Sequence, residues 1–147
     1  MKMKSIILAL TLALATAHAP ACSFPLLSLT QQIENVDEIF IATLLEAKVM
    51  PRDERHGWPR LEGRFQITKV LKGESLPGEI TLTTGMGHGD CGVGMVVSSK
   101  YVIFKKSQDA GISDANGSHA IDDFQEKEIT TNIQSIVHQQ QRKVRSK

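Results

Sequence analysis

The stretch GDCGV at residues 89–93 contains the second of the two cysteines in this chain, and Cys22 is the first. Cys22 lies where an export signal would be removed. A bond between Cys22 and Cys91 would therefore tie the new amino terminus to the middle of the domain. Two cysteines permit only one intramolecular pairing. The sequence thus predicts a domain organised around one covalent tie.

Residues 1–21 have the three regions of a secretory signal. Two lysines give a positive start, residues 6–15 form an almost uninterrupted apolar run, and residues 19–21 read Ala-Pro-Ala, a small-x-small cleavage pattern. The apolar run is too short to span a bilayer. We predict a signal peptide at residues 1–21 and a single domain at residues 22–147 of a periplasmic or secreted protein.

The composition is that of an ordinary globular domain, with 147 residues, 41% hydrophobic and 22% charged. Removing the two lysines of the signal leaves 15 basic against 16 acidic residues. This balanced charge predicts neither nucleic-acid binding nor attraction to an anionic membrane surface. We expect a monomer without a cofactor.

Export brings the chain into an oxidising compartment, where an even number of cysteines is usually paired. The loop closed between Cys22 and Cys91 contains about 70 residues, for which chain entropy predicts roughly 4 kcal/mol of stabilisation. This is a large share of the total stability of a small domain.

Helices are predicted near both ends of the domain. Ser28 or Thr30 can cap a short helix whose apolar residues have helical spacing. A longer helix is predicted from Asp122 onward, with acidic residues at its start and basic residues at its end. Its apolar residues recur near the helical period: Phe124, Ile129, Ile133, Ile136 and Val137.

Six segments between these helices are predicted to be strands. They are residues 38–49, 63–71, 79–84, 93–97, 100–105 and 118–121. The first alternates imperfectly, so a helix is an alternative for part of it. Because the strands follow one another through turns, without helical patterns between them, an antiparallel sheet or small barrel is favoured over a parallel α/β fold.

Several motifs occur in an order and spacing that resemble a known family. They are Cys22-Ser23 at the mature start, DEIFIA at residues 37–42, FQITKVLKG at residues 65–73 and Cys91-Gly92-Val93. Together they resemble the amino-terminal domain of the tissue inhibitors of metalloproteinases, within the netrin-like group. The resemblance covers roughly residues 22–124.

The resemblance implies a mainly β protein with an OB-fold, a five-stranded antiparallel barrel, with a short amino-terminal helix and a carboxy-terminal helix. It also implies inhibition of a zinc metalloprotease. A free α-amino group has a pKa of about 8 and loses its proton at modest cost. With its own carbonyl oxygen, the amine of Cys22 would chelate the protease zinc at the open position.

The resemblance also assigns an inhibitory edge. Ser23 would enter the protease specificity pocket, and Phe24 would make an apolar contact. The residues that would flank this wedge are Met86, Gly87, His88, Gly89 and Asp90. The family normally has three disulfides, and only the pairing of Cys22 with Cys91 is kept here.

Other interpretations of Cys22 stay open. Its position after a small residue also permits lipidation, although Pro20 makes a poor lipidation motif, and lipidation would block both the amine and the thiol. The chain would then be a lipid-anchored binding module. A periplasmic module with a purely structural disulfide and no protease inhibition is a further alternative. Finally, His88 with both cysteines could bind zinc or copper, although an exposed loop histidine is the simpler interpretation.

The sequence contains no catalytic motif, and we predict a protein that is not an enzyme. It has no Gly-x-Ser-x-Gly and no His-Glu-x-x-His. The glycines at residues 85, 87 and 89 lack the ending of a phosphate-binding loop and more simply relax the backbone beside Cys91. His56 and Trp58 lie in a predicted turn, either as a partner contact or as a partly packed tip.

Overall fold

The computed structural model describes residues 24–52, 57–74, 78–87 and 89–145. The predicted signal peptide lies outside these ranges. The described chain contains two helices and five strands. They are α1 (Leu29–Glu34), β1 (Glu38–Met50), β2 (Arg60–Lys72), β3 (Glu79–Thr84), β4 (Lys100–Lys105), β5 (His119–Ile121) and α2 (Asp123–Arg145), with a 3₁₀ turn (Asp114–Asn116) before β5.

The strands form one open antiparallel sheet in the order β3-β2-β1-β4-β5. β1 lies at its centre, pairing with β2 along residues 39–50 but with β4 only along residues 38–43. The prediction of a mainly antiparallel sheet with a helix towards each end of the domain is confirmed. β2 begins at Arg60, three residues before its predicted start, and the prediction of a strand at residues 93–97 is wrong.

The first half of β1 is buried on both faces, which explains its imperfect alternation in the sequence. Ile39 and Ile41 belong to a core on the helix side, whereas Phe40 and Ala42 belong to a second core on the other face. All four side chains are fully buried. The segment is a strand throughout, so the helical alternative is wrong.

α1 begins after Ser28, one of the two predicted caps, with reciprocal hydrogen bonds. The Gln31 N–H donates to Ser28 Oγ at 3.3 Å, and the Ser28 N–H donates to Gln31 Oε1 at 2.9 Å. This capping box satisfies a backbone donor that a helix start leaves free. Ile33 of α1 then packs in the helix-side core beside Ile133 and Val137 of α2.

α2 begins after Asp122, whose Oδ1 accepts the N–H of Gln125 at 2.7 Å. Its packed face includes Ile133, but the prediction that Phe124 shares this face is wrong, because Phe124 is 80% exposed. Nine residues separate the two, about two and a half helical turns, which places them on opposite sides. Among the described helices, none is long and apolar enough to cross a membrane.

The second core joins side chains from distant parts of the sheet. Phe65 of β2 meets Tyr101 of β4 edge to face, with ring centroids 5.5 Å apart and an interplanar angle of 88°. Leu82 of β3 and Ile112, which precedes β5, belong to the same core. This core therefore includes residues from the regions of β3 and β5, the two ends of the sheet.

Candidate functional site

A tight turn follows β3 and leads into Cys91, and one carboxylate holds it together. Asp90 Oδ2 accepts the N–H of Met86 at 2.7 Å. Its Oδ1 accepts the N–H of Gly87 at 2.8 Å and that of Gly92 at 3.1 Å. Backbone donors from both arms of the turn thus converge on one side chain. We call residues 85–87 and 89–92 the Asp90 turn.

The glycines of the Asp90 turn make room for that carboxylate. A Cβ atom at Gly85 would lie 2.3 Å from Asp90 Oδ2, and one at Gly92 would lie 2.3 Å from the backbone of Gly85. Gly87 has a left-handed φ of +80°. The prediction that these glycines only relax the backbone missed this role. The available signal was an aspartate with glycines on both sides of it.

The backbone at Cys91 is fixed from two directions. Cys91 has a φ of +57°, which is uncommon for a residue other than glycine. Both neighbours belong to the clamped turn, and the Cys91 carbonyl accepts the N–H of Asp114 at 3.0 Å. No cysteine of the described chain is free. The pairing with Cys22 stays a prediction, because Cys22 lies outside the described residues.

Asp90 is held in its ionised form. Partial desolvation raises the pKa of its carboxyl group, but the backbone hydrogen bonds that it accepts, from Met86, Gly87, Gly92 and Asp90 itself, together lower that pKa by more. The resulting pKa lies below the ordinary value for aspartate. At neutral pH the turn is therefore closed by a carboxylate, which accepts hydrogen bonds with both oxygens.

Side-chain hydroxyl groups hold residues 93–96, the first part of the loop after the Asp90 turn. The Val93 N–H donates to Thr84 Oγ1 at 2.8 Å. The Val96 N–H donates to the Tyr101 hydroxyl at 2.7 Å, and that hydroxyl donates to the Gly94 carbonyl at 2.9 Å. These contacts satisfy the backbone locally, which is why the strand predicted here does not form.

The predicted inhibitory edge lies partly within the described chain. The structure brings four of its residues together in the Asp90 turn: Met86, Gly87, Gly89 and Asp90. Phe24 is partly buried near the start of the described chain. Three further residues lie outside the described ranges: Cys22, Ser23 and His88. The zinc-directed role of Cys22 and the alternative metal site therefore stay predictions.

The tip of the β1–β2 hairpin is partly organised by its own contacts. The Arg52 guanidinium lies over the Trp58 ring, 5.5 Å from its centroid, and Arg52 Nε donates to the Gly57 carbonyl. Trp58 is nevertheless 72% exposed. His56 lies outside the described residues.

The described residues contain no group of three or more His, Cys, Asp or Glu side chains that could hold a metal ion. A comparison with protein-family models finds none that matches the chain, and a comparison with curated proteins finds no significant match. The resemblance to the tissue inhibitors of metalloproteinases therefore rests on the motifs quoted above and stays a hypothesis.

Proposed function

We propose that the mature chain is an exported, non-enzymatic inhibitor of zinc metalloproteases that acts through the free amine and carbonyl of Cys22. The observation that supports this function is the fixed backbone at Cys91. A segment that must be ordered on binding loses affinity, whereas a preorganised one does not. A disulfide to such a fixed residue would hold the amino terminus rigidly for chelation.

We further propose that the open sheet is the wall of an OB-type barrel. The strand order leaves β3 and β5 as the two ends to be joined. An isolated parallel bridge links Thr83 of β3 to Gly111, ahead of β5. The Thr83 N–H donates to the Ala110 carbonyl at 2.7 Å, and the Ile112 N–H donates to the Thr83 carbonyl at 2.8 Å. These contacts would close the barrel beside the Asp90 turn.

The inhibition of zinc metalloproteases by the purified protein is the direct test. Mass spectrometry must first show that Cys22 is the unmodified first residue. We then expect one alanine added before Cys22 to abolish inhibition, because it removes the chelating amine. The same alanine added after Lys147 is the matched control. Unchanged inhibition by the first variant would exclude chelation, and a correctly processed protein without inhibition would exclude the function.

A binding module with a purely structural disulfide is the second proposed function. Val96 and Val97 favour it, because they are 63% and 51% exposed on the ordered loop. The loop is fixed beside β1, since the Ser98 N–H donates to the Leu44 carbonyl at 2.8 Å. Adjacent exposed apolar side chains on a fixed backbone suit contact with another protein. Binding to a partner that survives the alanine extension would favour this function over chelation.

A further inference from the structure

We propose that Asp90 is the positioning residue of the inhibitory edge, because its carboxylate sets the direction in which Cys91 presents its bond to the amino terminus. This proposal rests on the proposed function, since a rigid terminus matters only if it engages a target. The clamp itself, however, can be measured without any protease.

The geometry calls for an aspartate at this position. Three N–H groups meet two carboxylate oxygens at 2.7 to 3.1 Å, so both oxygens must accept. Asparagine supplies one acceptor oxygen and would place an NH₂ group against a backbone donor. Glutamate is longer by one methylene. The backbone of Gly85 leaves no space for a longer side chain at position 90, because a Cβ atom added to Gly85 would already lie 2.3 Å from the Asp90 carboxylate.

The role of Asp90 is local. All the N–H groups that its side chain accepts belong to the Asp90 turn, and Asp90 itself is exposed and outside both cores. Removing its carboxylate therefore releases the turn, and with it one of the two restraints on the Cys91 backbone, while both cores keep their contacts. If Asp90 only stabilised the domain, its removal would loosen the turn and the cores together.

The test compares Asp90→Ala with Asp90→Asn and with the control Asp109→Ala. Asp109 is also an exposed loop aspartate, and its hydrogen bond in the structure is a backbone one, to the Lys106 carbonyl. The control removes the same charge without touching the clamp. Asp90→Asn is the milder variant, because it can keep the oxygen that accepts from two of the three donors.

The first measurement is amide hydrogen exchange by NMR at Met86, Gly87 and Gly92. In Asp90→Ala we expect exchange at least about tenfold faster, because each amide loses a charged acceptor. The Cα and Cβ shifts of Cys91 should also leave the range of a left-handed residue. Asp90→Asn should show a smaller change, and Asp109→Ala none. Unchanged exchange in Asp90→Ala would overturn the clamp.

The second measurement is the inhibition constant against a zinc metalloprotease that the wild-type protein inhibits. We expect Asp90→Ala to weaken inhibition about tenfold or more, Asp90→Asn to weaken it less, and Asp109→Ala to leave it unchanged. Wild-type inhibition despite faster exchange would overturn the positioning role. If the wild-type protein inhibits no zinc protease, the proposed function fails, and the exchange rates together with the Cys91 shifts still decide whether Asp90 sets the backbone.

Discussion

The two halves of β1 differ in how the rest of the protein supports them. Residues 38–44 include the part that lies between β2 and β4 and are buried on both faces for most of their length. Residues 45–50 pair only with β2, and Val49 is 60% exposed. A register shift between Leu44 and Glu46 separates the halves. One continuous strand therefore serves both as the centre of the fold and as an exposed arm.

Charged pairs line the exposed arm. Lys48 Nζ lies 2.7 Å from Glu62 Oε1. The Arg64 guanidinium lies 2.9 Å from Glu79 Oε2 and 3.4 Å from Glu46 Oε2. Exposed ion pairs contribute little to stability. Charged side chains near a strand edge do, however, oppose pairing with a strand of another molecule. The side chains of residues 38–44 thus stabilise the fold, whereas the charged side chains of the exposed arm oppose pairing with another molecule.

The largest expected loss of stability comes from truncating a buried side chain in the first half of β1, compared with an exposed one in the second half. Phe40→Ala should lower the free energy of unfolding by about 3–5 kcal/mol, because it empties a fully buried site. Val49→Ala should cost less than about 0.5 kcal/mol, because that side chain is mostly exposed. Urea denaturation of both variants measures the difference. Equal costs would show that the two halves are equally important for stability.

Gly63 lies near the boundary between the halves, paired with Ala47. Gly63→Ala should lower the free energy of unfolding by about 1–3 kcal/mol through overpacking. Its Cβ atom would lie 2.8 Å from side-chain atoms of Leu44, Met95 and Phe65. Gly94→Ala is the matched control, because no atom lies within 4 Å of its added Cβ. Similar urea midpoints for both variants would mean that the core ends before Gly63.

The half of β1 that pairs with β4 should also respond to acid through Lys100 of β4. Lys100 donates to Asp123 Oδ1 and Glu126 Oε2 at 2.7 Å each. These hydrogen bonds lower the pKa of both carboxyl groups. Groups with a depressed folded-state pKa stabilise the fold above their unfolded pKa of about 4, and this contribution is lost as pH falls through the folded-state pKa.

The urea midpoint of the wild-type protein should therefore fall more between about pH 6 and pH 3 than that of Lys100→Gln. The two proteins have the same carboxyl groups, Asp90 included. The difference between their pH profiles therefore isolates the ion pairs of Lys100, which link β4 to α2. Parallel pH profiles would show that Lys100 does not link acid sensitivity to this helix.

The smallest effect is expected in the exposed arm. Lys48→Gln and Glu62→Gln should leave the urea midpoint unchanged, alone and together, because the Lys48 side chain is 60% exposed. A double-mutant cycle at low and high salt checks this expectation. A salt-sensitive coupling between the two positions would show that the arm is stabilised by its charges after all.

Much of the fold follows from local patterns in the sequence. A capping residue marked the start of α1, acidic residues marked the start of α2, and alternation marked β3 and most of β2. The prediction of a strand at residues 93–97 is wrong, because the apolar residues there suit a strand and an ordered loop equally well. The hydroxyls of Thr84 and Tyr101, which belong to other elements, satisfy its backbone instead. Side-chain pattern alone does not reveal such a competitor.

The candidate site was harder to predict than the fold. The sequence drew attention to Cys91 and its glycines, but the clamp depends on three backbone N–H groups, and every residue other than proline has one. Only the path of the chain shows that these donors meet at Asp90. The signal peptide, Cys22 and His88 lie outside the described residues, so the predictions for them stay predictions.

The central place of β1 also sets an order for the folding reaction. β1 and β2 follow one another in the chain with only residues 51–59 between them, and β-hairpins form in about 1–10 μs. β4 pairs with the other edge of β1, and there Lys105 Nζ contacts Glu38 Oε2 at 2.7 Å across 67 residues of chain. Distant pairings form slowly, because loop closure comes before the contacts that stabilise it. During synthesis, we therefore expect this edge of β1 to stay unpaired until β4 has emerged.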